Sequence, residues 1–371
     1  MTVPLDRSGA LPGGVKLHVT RRRAAIVPSS TAVVALDGGP GAAATSSARS
    51  FASELAPAVR ARDLLLFDER GTGRSGRLRC PFGDLFLDPV ITQVGDCAAR
   101  LGAARGFYRS LDDAEDLEAV RVAAGYDRLV VYGVSYGTKV AELYAAMHPE
   151  HVAALVLDSV VLPEGPDVFS RSSLQATGPV VSDVCARGRC RRISADPARD
   201  LHALVHRLAR RPLRGRVPVA FLGFRRRVAI GPTDLFGILE EGDFDPLLRA
   251  DAPAALRGAL RGDAAPLMRM LARVADLDTF GDGGGLSEAL FVAKRCEESA
   301  FPWDPRAGAL ERRRQALAAA RTIRPAQRGG FPPRTAYASD VLALCLGWLN
   351  AGPPPFPAPG CSSCRTAATA C

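Results

Sequence analysis

The chain has 371 residues, a hydrophobic fraction of 47% and a formal net charge of +9. This length suffices for one large α/β domain with an insertion, or for two modest domains. No apolar run approaches the ~18 residues of a membrane span, and the first residues lack the charged-then-apolar pattern of a signal peptide. The sequence as written therefore predicts a cytoplasmic protein with no membrane partner.

The positive charge is almost all arginine, and the lysines number three: Lys16, Lys139 and Lys294. The arginine triplets at 21–23, 225–227 and 312–314 are short, scattered and mixed with acidic residues. Nucleic-acid binding surfaces are usually denser and interleaved with aromatic residues, so we predict no nucleic-acid partner.

The chain has nine cysteines, more than a cytosolic enzyme usually carries. Six form pairs that are neighbours in the sequence or in the expected fold: Cys80 with Cys97, Cys185 with Cys190, and Cys296 with Cys345. The other three, Cys361, Cys364 and Cys371, lie in the last eleven residues. Disulfide pairing of these cysteines would indicate an oxidising compartment and is compatible with a secreted protein. The alternative is that the cysteines are buried free thiols.

The first part of the chain reads as short strands. Residues 15–20 and 24–27 predict an opening hairpin, and the mostly apolar residues 31–36 predict a central parallel strand. The loop Asp37-Gly38-Gly39-Pro40-Gly41 follows, and its glycines let backbone N–H groups approach a substrate oxygen. An ordinary glycine–proline turn is the alternative.

A helix over residues 47–61 leads to a second apolar strand at 64–67. The strand ends in a charged loop at 68–76, in which we expect an ion pair between Asp68 and Arg70 that braces the loops. Residues 111–124 then predict an amphipathic helix with acidic residues in its first turn.

Residues 129–142, LVVYGVSYGTKVAE, predict a buried strand, a tight turn and a helix. The turn has the pattern G-x-S-x-G with Ser135 at its centre, as in a nucleophile elbow. Glycine is expected at 133 and 137 because a side chain there would collide with the neighbouring strand or helix. The helix directs its positive end at Ser135 and offers the N–H of Tyr136 to an oxyanion.

Residues 151–158 predict another parallel strand, and the alternation of apolar strands with helices predicts a doubly wound, mostly parallel α/β sheet. From 163 to 321 the pattern is mostly helical, which predicts a cap inserted into the core to shape the substrate pocket. The predicted division is core at 1–162, cap at 163–321 and a return to the core at 322–371.

Several segments together resemble the prolyl aminopeptidase and tripeptidyl aminopeptidase branch of the α/β-hydrolases. These segments are VPLD at 3–6, GGPG at 38–41, DERGTGRS at 68–75, DLEAVR at 116–121, YGVSYGT at 132–138, VLDSVV at 156–161, RGDAAPL at 261–267, KRCEESAFPW at 294–303 and CLGWLNAGPPP at 345–355. They cover nearly the whole chain in order, and the glycine loop with the serine turn is the most specific part.

The resemblance implies hydrolysis of short peptides from the amino-terminal side, or of related amides and esters, with no metal or cofactor. It implies Ser135 as the nucleophile and the N–H groups of Gly39 and Tyr136 as the oxyanion hole. It also implies that an acid near the end of the cap, Glu297 or Glu298, holds a substrate ammonium. Solvent-exposed acids at a helix end are the alternative for these two.

The resemblance implies a catalytic triad whose acid and base follow the serine along the chain, and this sequence does not show them at the expected place. None of the five histidines lies after residue 206: His18, His148, His151, His202 and His206. The last two are four apart on a predicted cap helix and suit packing or the surface, while His148 and His151 flank Pro149 in a predicted solvated turn. Asp158, at a strand end, is a remote candidate for a displaced triad acid.

We therefore expect the last core strands, with the triad Asp and His, to be missing through a truncated or frame-shifted C-terminus. One flank of the sheet would then lie open, and the chain would have little or no activity. A catalytically inactive hydrolase-fold protein that binds peptide-like ligands is the alternative function. A basic scaffold that binds acidic partners is a third reading.

Overall fold

The computed structural model describes residues 1–25, 29–80, 90–165, 167–218, 225–280 and 285–348. Contacts divide the chain into two compact units. The first comprises Met1–Pro166, Gly283–Ala300 and Leu344–Cys371, and the second Asp167–Asp282 and Phe301–Ala343. The predicted bounds differ from these units at residues 283–300, which group with the sheet, and at residues 322–343, which group with the second unit. The predictions for the tail cysteines and the missing strands fall outside the described residues.

The first unit contains two sheets. Its strands are β1 (Thr2–Pro4), β2 (Gly14–Lys16), β3 (Val19–Arg22), β4 (Thr31–Leu36), β5 (Leu64–Phe67), β6 (Arg128–Val134) and β7 (Val152–Asp158). β1 and β2 pair antiparallel, and the others form one sheet in the order β3-β5-β4-β6-β7. Only β3 runs antiparallel to its neighbour, so the predicted mostly parallel sheet is confirmed.

Helices cover both faces of this sheet, because the central strands are apolar on both sides. The helices of this unit are α1 (Ala48–Glu54), α2 (Val90–Leu101), α3 (Ser110–Ala124), α4 (Tyr136–Met147) and α10 (Glu288–Glu298). Along β4, Val34 packs in the same core cluster as α3 and α4, whereas Val33 packs in the cluster of α1. The alternation of side chains along a strand produces these two layers.

β7 is the edge strand of the described sheet, and its side chains are poorly covered. Leu155 is 37% exposed and Val156 is 46% exposed, although these two consecutive residues point to opposite faces. In the part of the chain that the structure describes, no strand pairs with the outer side of β7. An apolar flank is therefore exposed there.

The second unit is mainly helical. Its helices are α5 (Arg171–Val184), α6 (Pro197–Arg210), α7 (Pro232–Glu240), α8 (Pro246–Leu260), α9 (Ala265–Phe280), α11 (Ala309–Thr322) and α12 (Pro333–Tyr337), and α13 (Asp340–Cys345) follows at the boundary. Leu204, Phe236 and Leu256 lie in its core. The unit also contains an antiparallel hairpin, β8 (Leu213–Pro218) and β9 (Arg225–Ile230), which the sequence reading missed because arginines obscure its alternation.

All three predicted cysteine pairs form disulfides: Cys80–Cys97, Cys185–Cys190 and Cys296–Cys345. The last of these joins α10 to α13 within the first unit. Among the described residues, no helix is both long and apolar enough to cross a membrane.

Candidate active site

Ser135 lies between β6 and α4 in a strained backbone conformation, with φ 51° and ψ −119°. Three hydrogen bonds hold it there. Its N–H donates to the carbonyl oxygen of Asp158 at 2.9 Å, and its own carbonyl accepts from the N–H and hydroxyl of Thr138 at 3.0 and 2.6 Å. The surrounding structure thus fixes a conformation that a side-chain-bearing residue rarely adopts, as a nucleophile elbow requires.

The two glycines of the turn are required sterically, as predicted. A Cβ at Gly133 would lie 2.6 Å from the carbonyl oxygen of Gly137. A Cβ at Gly137 would collide with the Leu36 carbonyl oxygen and lie 2.8 Å from that of Asp37. The strand register sets these contacts, because Leu36 is the direct partner of Gly133 across β4 and β6.

The glycine loop lies beside the serine. A Cβ at Gly38 would lie 3.0 Å from Ser135 Cβ, and Gly39 lines one pocket together with Ser135 and Tyr136. Tyr136 is the first residue of α4, so its N–H has no intrahelical carbonyl to bond. The predicted oxyanion donors therefore border the same pocket as the serine.

Hydrogen bonds fix the shape of this loop. The N–H of Ser287 donates to the carbonyl of Gly41 at 2.9 Å, and the Asp37 carboxylate accepts from the N–H of Gly38 at 2.8 Å and the hydroxyl of Ser47 at 2.6 Å. Asp37 thus serves as a local brace for the glycine backbone.

The pocket has a charged lining as well as the serine. Its residues are Gly39, Ser135, Tyr136, Lys139, Val161, Gly165, Lys294, Arg295, Glu298 and Ser299. Lys139 and Lys294 are two of the three lysines in the chain, and the sequence reading gave neither a role. In a chain whose basic residues are almost all arginine, the presence of lysine at these two positions is a sequence signal that could have identified them.

Glu298 accepts hydrogen bonds from several buried donors. The backbone N–H and hydroxyl of Ser110 donate to it at 2.7 and 2.6 Å, and Lys139 Nζ lies 2.5 Å from Oε2. Burial would raise the pKa of Glu298, but the charges of Lys139 and Lys294 and the hydrogen bonds outweigh it and lower this pKa. Glu298 is therefore an ionised carboxylate at the pocket wall.

Lys294 lies between two further carboxylates. Its Nζ donates to Glu69 Oε2 at 3.0 Å and to Asp113 Oδ2. Burial and the charge of Glu69 raise the pKa of Asp113 well above its ordinary range, against the effect of Lys294. Among the described residues that line the pocket, Glu298 is the only carboxylate, and it stands beside Lys139, Lys294 and Arg295, so it is the group of this wall that a cationic ligand would contact.

Glu297 has a different environment. Its carboxylate accepts from Arg105 Nε at 3.1 Å and from Trp348 Nε1 at 2.7 Å, and it is not among the residues that line the pocket. The alternative of solvent-exposed acids is wrong for both residues, because their side chains are only 5% and 11% exposed. Of the two predicted acids, only Glu298 borders the serine pocket.

The predicted ion pair between Asp68 and Arg70 is also wrong. Arg70 is fully buried and makes a two-pronged contact with Asp116 at 2.7 and 2.8 Å. Asp68 instead accepts from Thr45 and from the N–H of Arg74. A buried guanidinium needs a carboxylate matched to its planar fork, and α3 supplies one.

None of the five histidines is among the residues that line this pocket. His202 and His206 are exposed on α6. His148 and His151 are half-buried, with side chains 19% and 29% exposed, and Pro149 and Glu150 between them are exposed, in keeping with the predicted solvated turn. Asp158 is exposed, with its carboxylate near the hydroxyls of Tyr132 and Ser159.

Comparison with known proteins agrees with the geometry. Residues 31–202 match the alpha/beta hydrolase fold family. The chain is 28% identical over 213 residues to a tripeptidyl aminopeptidase of Streptomyces coelicolor. This alignment covers 51% of this chain and 38% of that protein. It is 31% identical over 201 residues to the serine protease Hip1 of Mycobacterium tuberculosis, covering 45% of this chain and 38% of that protein.

A proline iminopeptidase of Neisseria gonorrhoeae is 30% identical over 135 residues, covering 36% of this chain and 34% of that protein. The predicted α/β-hydrolase fold and the predicted resemblance to this aminopeptidase branch are thus confirmed. The match spans well under half of the length of each of these relatives.

Proposed function

We propose that this protein is a serine hydrolase that acts on short peptides with a free amino terminus, or on related amides and esters. The observation that carries the proposal is the strained Ser135 at the head of α4, beside the glycine loop and in one pocket with Gly39 and Tyr136. The hydroxyl of Ser135 attacks a carbonyl carbon, and the N–H groups of Gly39 and Tyr136 stabilise the oxyanion that forms.

The free amino terminus is proposed from the charge of the pocket wall. Glu298 is ionised, and it is the one carboxylate among the described residues that line the pocket. A substrate ammonium would donate hydrogen bonds to this carboxylate. The named activities of the similar aminopeptidases support this choice of substrate class.

A second function has support from one specific observation. None of the five histidines lines the pocket, so among the described residues the serine has no imidazole to accept its proton. Oxyanion stabilisation and binding alone give a rate about 10³–10⁴-fold above that in water. The alternative is accordingly a hydrolase-fold protein that binds peptide-like ligands without turnover.

One experiment separates the two functions. The protein is incubated with the p-nitrophenyl ester of alanine, with and without free imidazole as an external base, and intact mass is recorded. We expect alanylation of Ser135, with release of p-nitrophenolate, to rise with imidazole and to be absent in Ser135→Ala. Ligand binding without any acylation of Ser135 would instead establish the second function.

The role of Glu298 is tested by binding. We expect a tripeptide with a free amino terminus to bind about tenfold or more tightly than its N-acetylated form, because an ammonium–carboxylate hydrogen bond is lost on acetylation. In Glu298→Gln the two tripeptides should bind with nearly equal affinity. Glu54→Gln, which changes an exposed acid on α1, should keep the preference for the free amino terminus. A ratio near one in the unmodified protein would exclude an ammonium site.

A further inference from the structure

A second cluster of polar side chains lies at the other end of α4 from Ser135. It consists of Glu118 on α3, His148 after the last residue of α4, and His151 in the short turn Pro149–His151. One potential ligand atom from each residue lies within 4.8 Å of the others. Since α4 has 12 residues at ~1.5 Å rise each, the cluster is roughly 18 Å from the serine end.

Two ring nitrogens in the cluster are buried without a hydrogen-bond partner: His148 Nε2 and His151 Nδ1. Each faces a carboxylate without forming an aligned hydrogen bond. His148 Nε2 is 3.6 Å from Glu115 Oε1, and His151 Nδ1 is 3.1 Å from Glu118 Oε1. Both ring nitrogens are therefore available to donate a lone pair to a cation, because no aligned hydrogen bond from the described residues occupies them.

We propose that Glu118, His148 and His151 bind a divalent transition-metal ion of the zinc class. Two imidazole nitrogens and one carboxylate oxygen are the donor set that such ions prefer, with a fourth position for water. Tetrahedral binding at ~2.0–2.1 Å would bring the donor atoms to roughly 3.3 Å from one another, which small side-chain rotations from the present separations achieve. The site takes no part in the proposed hydrolysis.

The charges around the cluster suit a cation. Glu115 and Glu150 also face the two rings, with Glu150 Oε1 3.6 Å from His151 Nδ1. The opposing charge is Arg121, which donates to both oxygens of Glu118 and lies 3.5 Å from His151 Nε2. Three carboxylates against one guanidinium leave the surroundings of the rings negative.

Glu118 is suited to be the anionic ligand. Partial burial would raise its pKa, but hydrogen bonds from Arg121 and Tyr144 and nearby positive charge lower it to about 2. Protons therefore do not compete for this carboxylate near neutral pH.

The test is isothermal titration of ZnCl₂ into the full chain, freed of any affinity tag and stripped of metal with EDTA. We expect one ion per chain and at least roughly tenfold weaker binding in His148→Gln and in His151→Gln. Zinc should also raise the Tm of the unmodified protein, because it ties α3 to the end of α4 in the folded state alone. His206→Gln, which changes an exposed histidine on α6, is the matched control and should bind as tightly as the unmodified chain.

Folding of each variant is checked by metal-free thermal unfolding and far-ultraviolet circular dichroism. The absence of stoichiometric binding to the unmodified protein would overturn the proposal. Undiminished binding by a folded His148→Gln/His151→Gln double variant would overturn it equally, because the zinc would then be held elsewhere.

Discussion

At the scale of single residues, backbone oxygen atoms determine which side chains the elbow tolerates. Gly133 and Gly137 lie where any Cβ would meet a carbonyl of β4 or of the turn itself. Ser135 bears the strained conformation between them, held by Asp158 and Thr138. Ser135 is therefore positioned by backbone packing that no rotamer change can relieve.

Substitution of Gly137→Ala should destabilise the protein by about 1–3 kcal/mol, because the new methyl overlaps backbone oxygens that cannot rotate away. Urea unfolding would measure this loss. Gly237→Ala is the matched control, since nothing lies within 4 Å of its Cβ position on α7. The control should be neutral or more stable by roughly 0.5–1 kcal/mol. Equal effects from both substitutions would contradict the steric account.

Glu118 gives a pH prediction at the same scale. Its pKa is about 2 in the folded protein and ordinarily 4.5, so its contribution to stability is present above pH 4.5 and is lost as the pH falls towards 2. Glu118→Gln, studied in EDTA, should cost about 3 kcal/mol at most at pH 7. The difference in free energy of unfolding between variant and parent should shrink steadily below pH 4.5. A constant difference down to pH 2.5 would show that the carboxylate charge is not responsible.

At the scale of elements, α10 contributes several of the charged and covalent contacts that hold the first unit together. Lys294 and Glu298 face the pocket, Glu297 pairs with Arg105 and Trp348, and Cys296 bonds to Cys345 on α13. The C-terminal half of this short helix is thus tied to several other segments of the unit. The disulfide fixes the helix that presents Glu298 to the serine pocket.

The three disulfides close loops of different length, which gives a graded prediction. Removing Cys296–Cys345, with a separation of 49 residues, should cost roughly 4 kcal/mol through the chain entropy of the unfolded state. Removing Cys185–Cys190, with a separation of 5, should cost about 2 kcal/mol. Double alanine variants in urea unfolding would measure both costs, and the reverse order would refute the loop-length account for this protein.

At the scale of the whole molecule, β7 exposes apolar side chains at the edge of the described sheet. Leu155 and Val156 lie on the edge strand of the described sheet, and no described strand pairs with its outer side, so another chain can pair there. The net charge of +9 opposes association, but screening at physiological salt limits that repulsion to about 8 Å.

We expect the purified chain to self-associate through this edge. Val156→Lys should reduce association, because a lysine on an edge strand must be desolvated before another strand can pair with it. Light scattering across a concentration series would measure the change. Val122→Lys, at a 61% exposed position on α3, adds the same charge away from the edge and should have little effect. Similar effects from the two variants would show that net charge, not the edge, controls association.

Local sequence patterns determined much of this protein. The strand at 64–67, the serine turn with its obligatory glycines, and the three cysteine pairs could be predicted because each depends on a short apolar run, a steric rule or a resemblance spread along the chain. Only the tertiary structure decided how charged side chains pair. It separates Glu298 from its neighbour Glu297, gives Arg70 to Asp116, and brings Lys139 and Lys294 to the pocket. The physical reason is that a buried charge takes whichever partner the packing of distant segments places within reach, and sequence separation does not encode that distance.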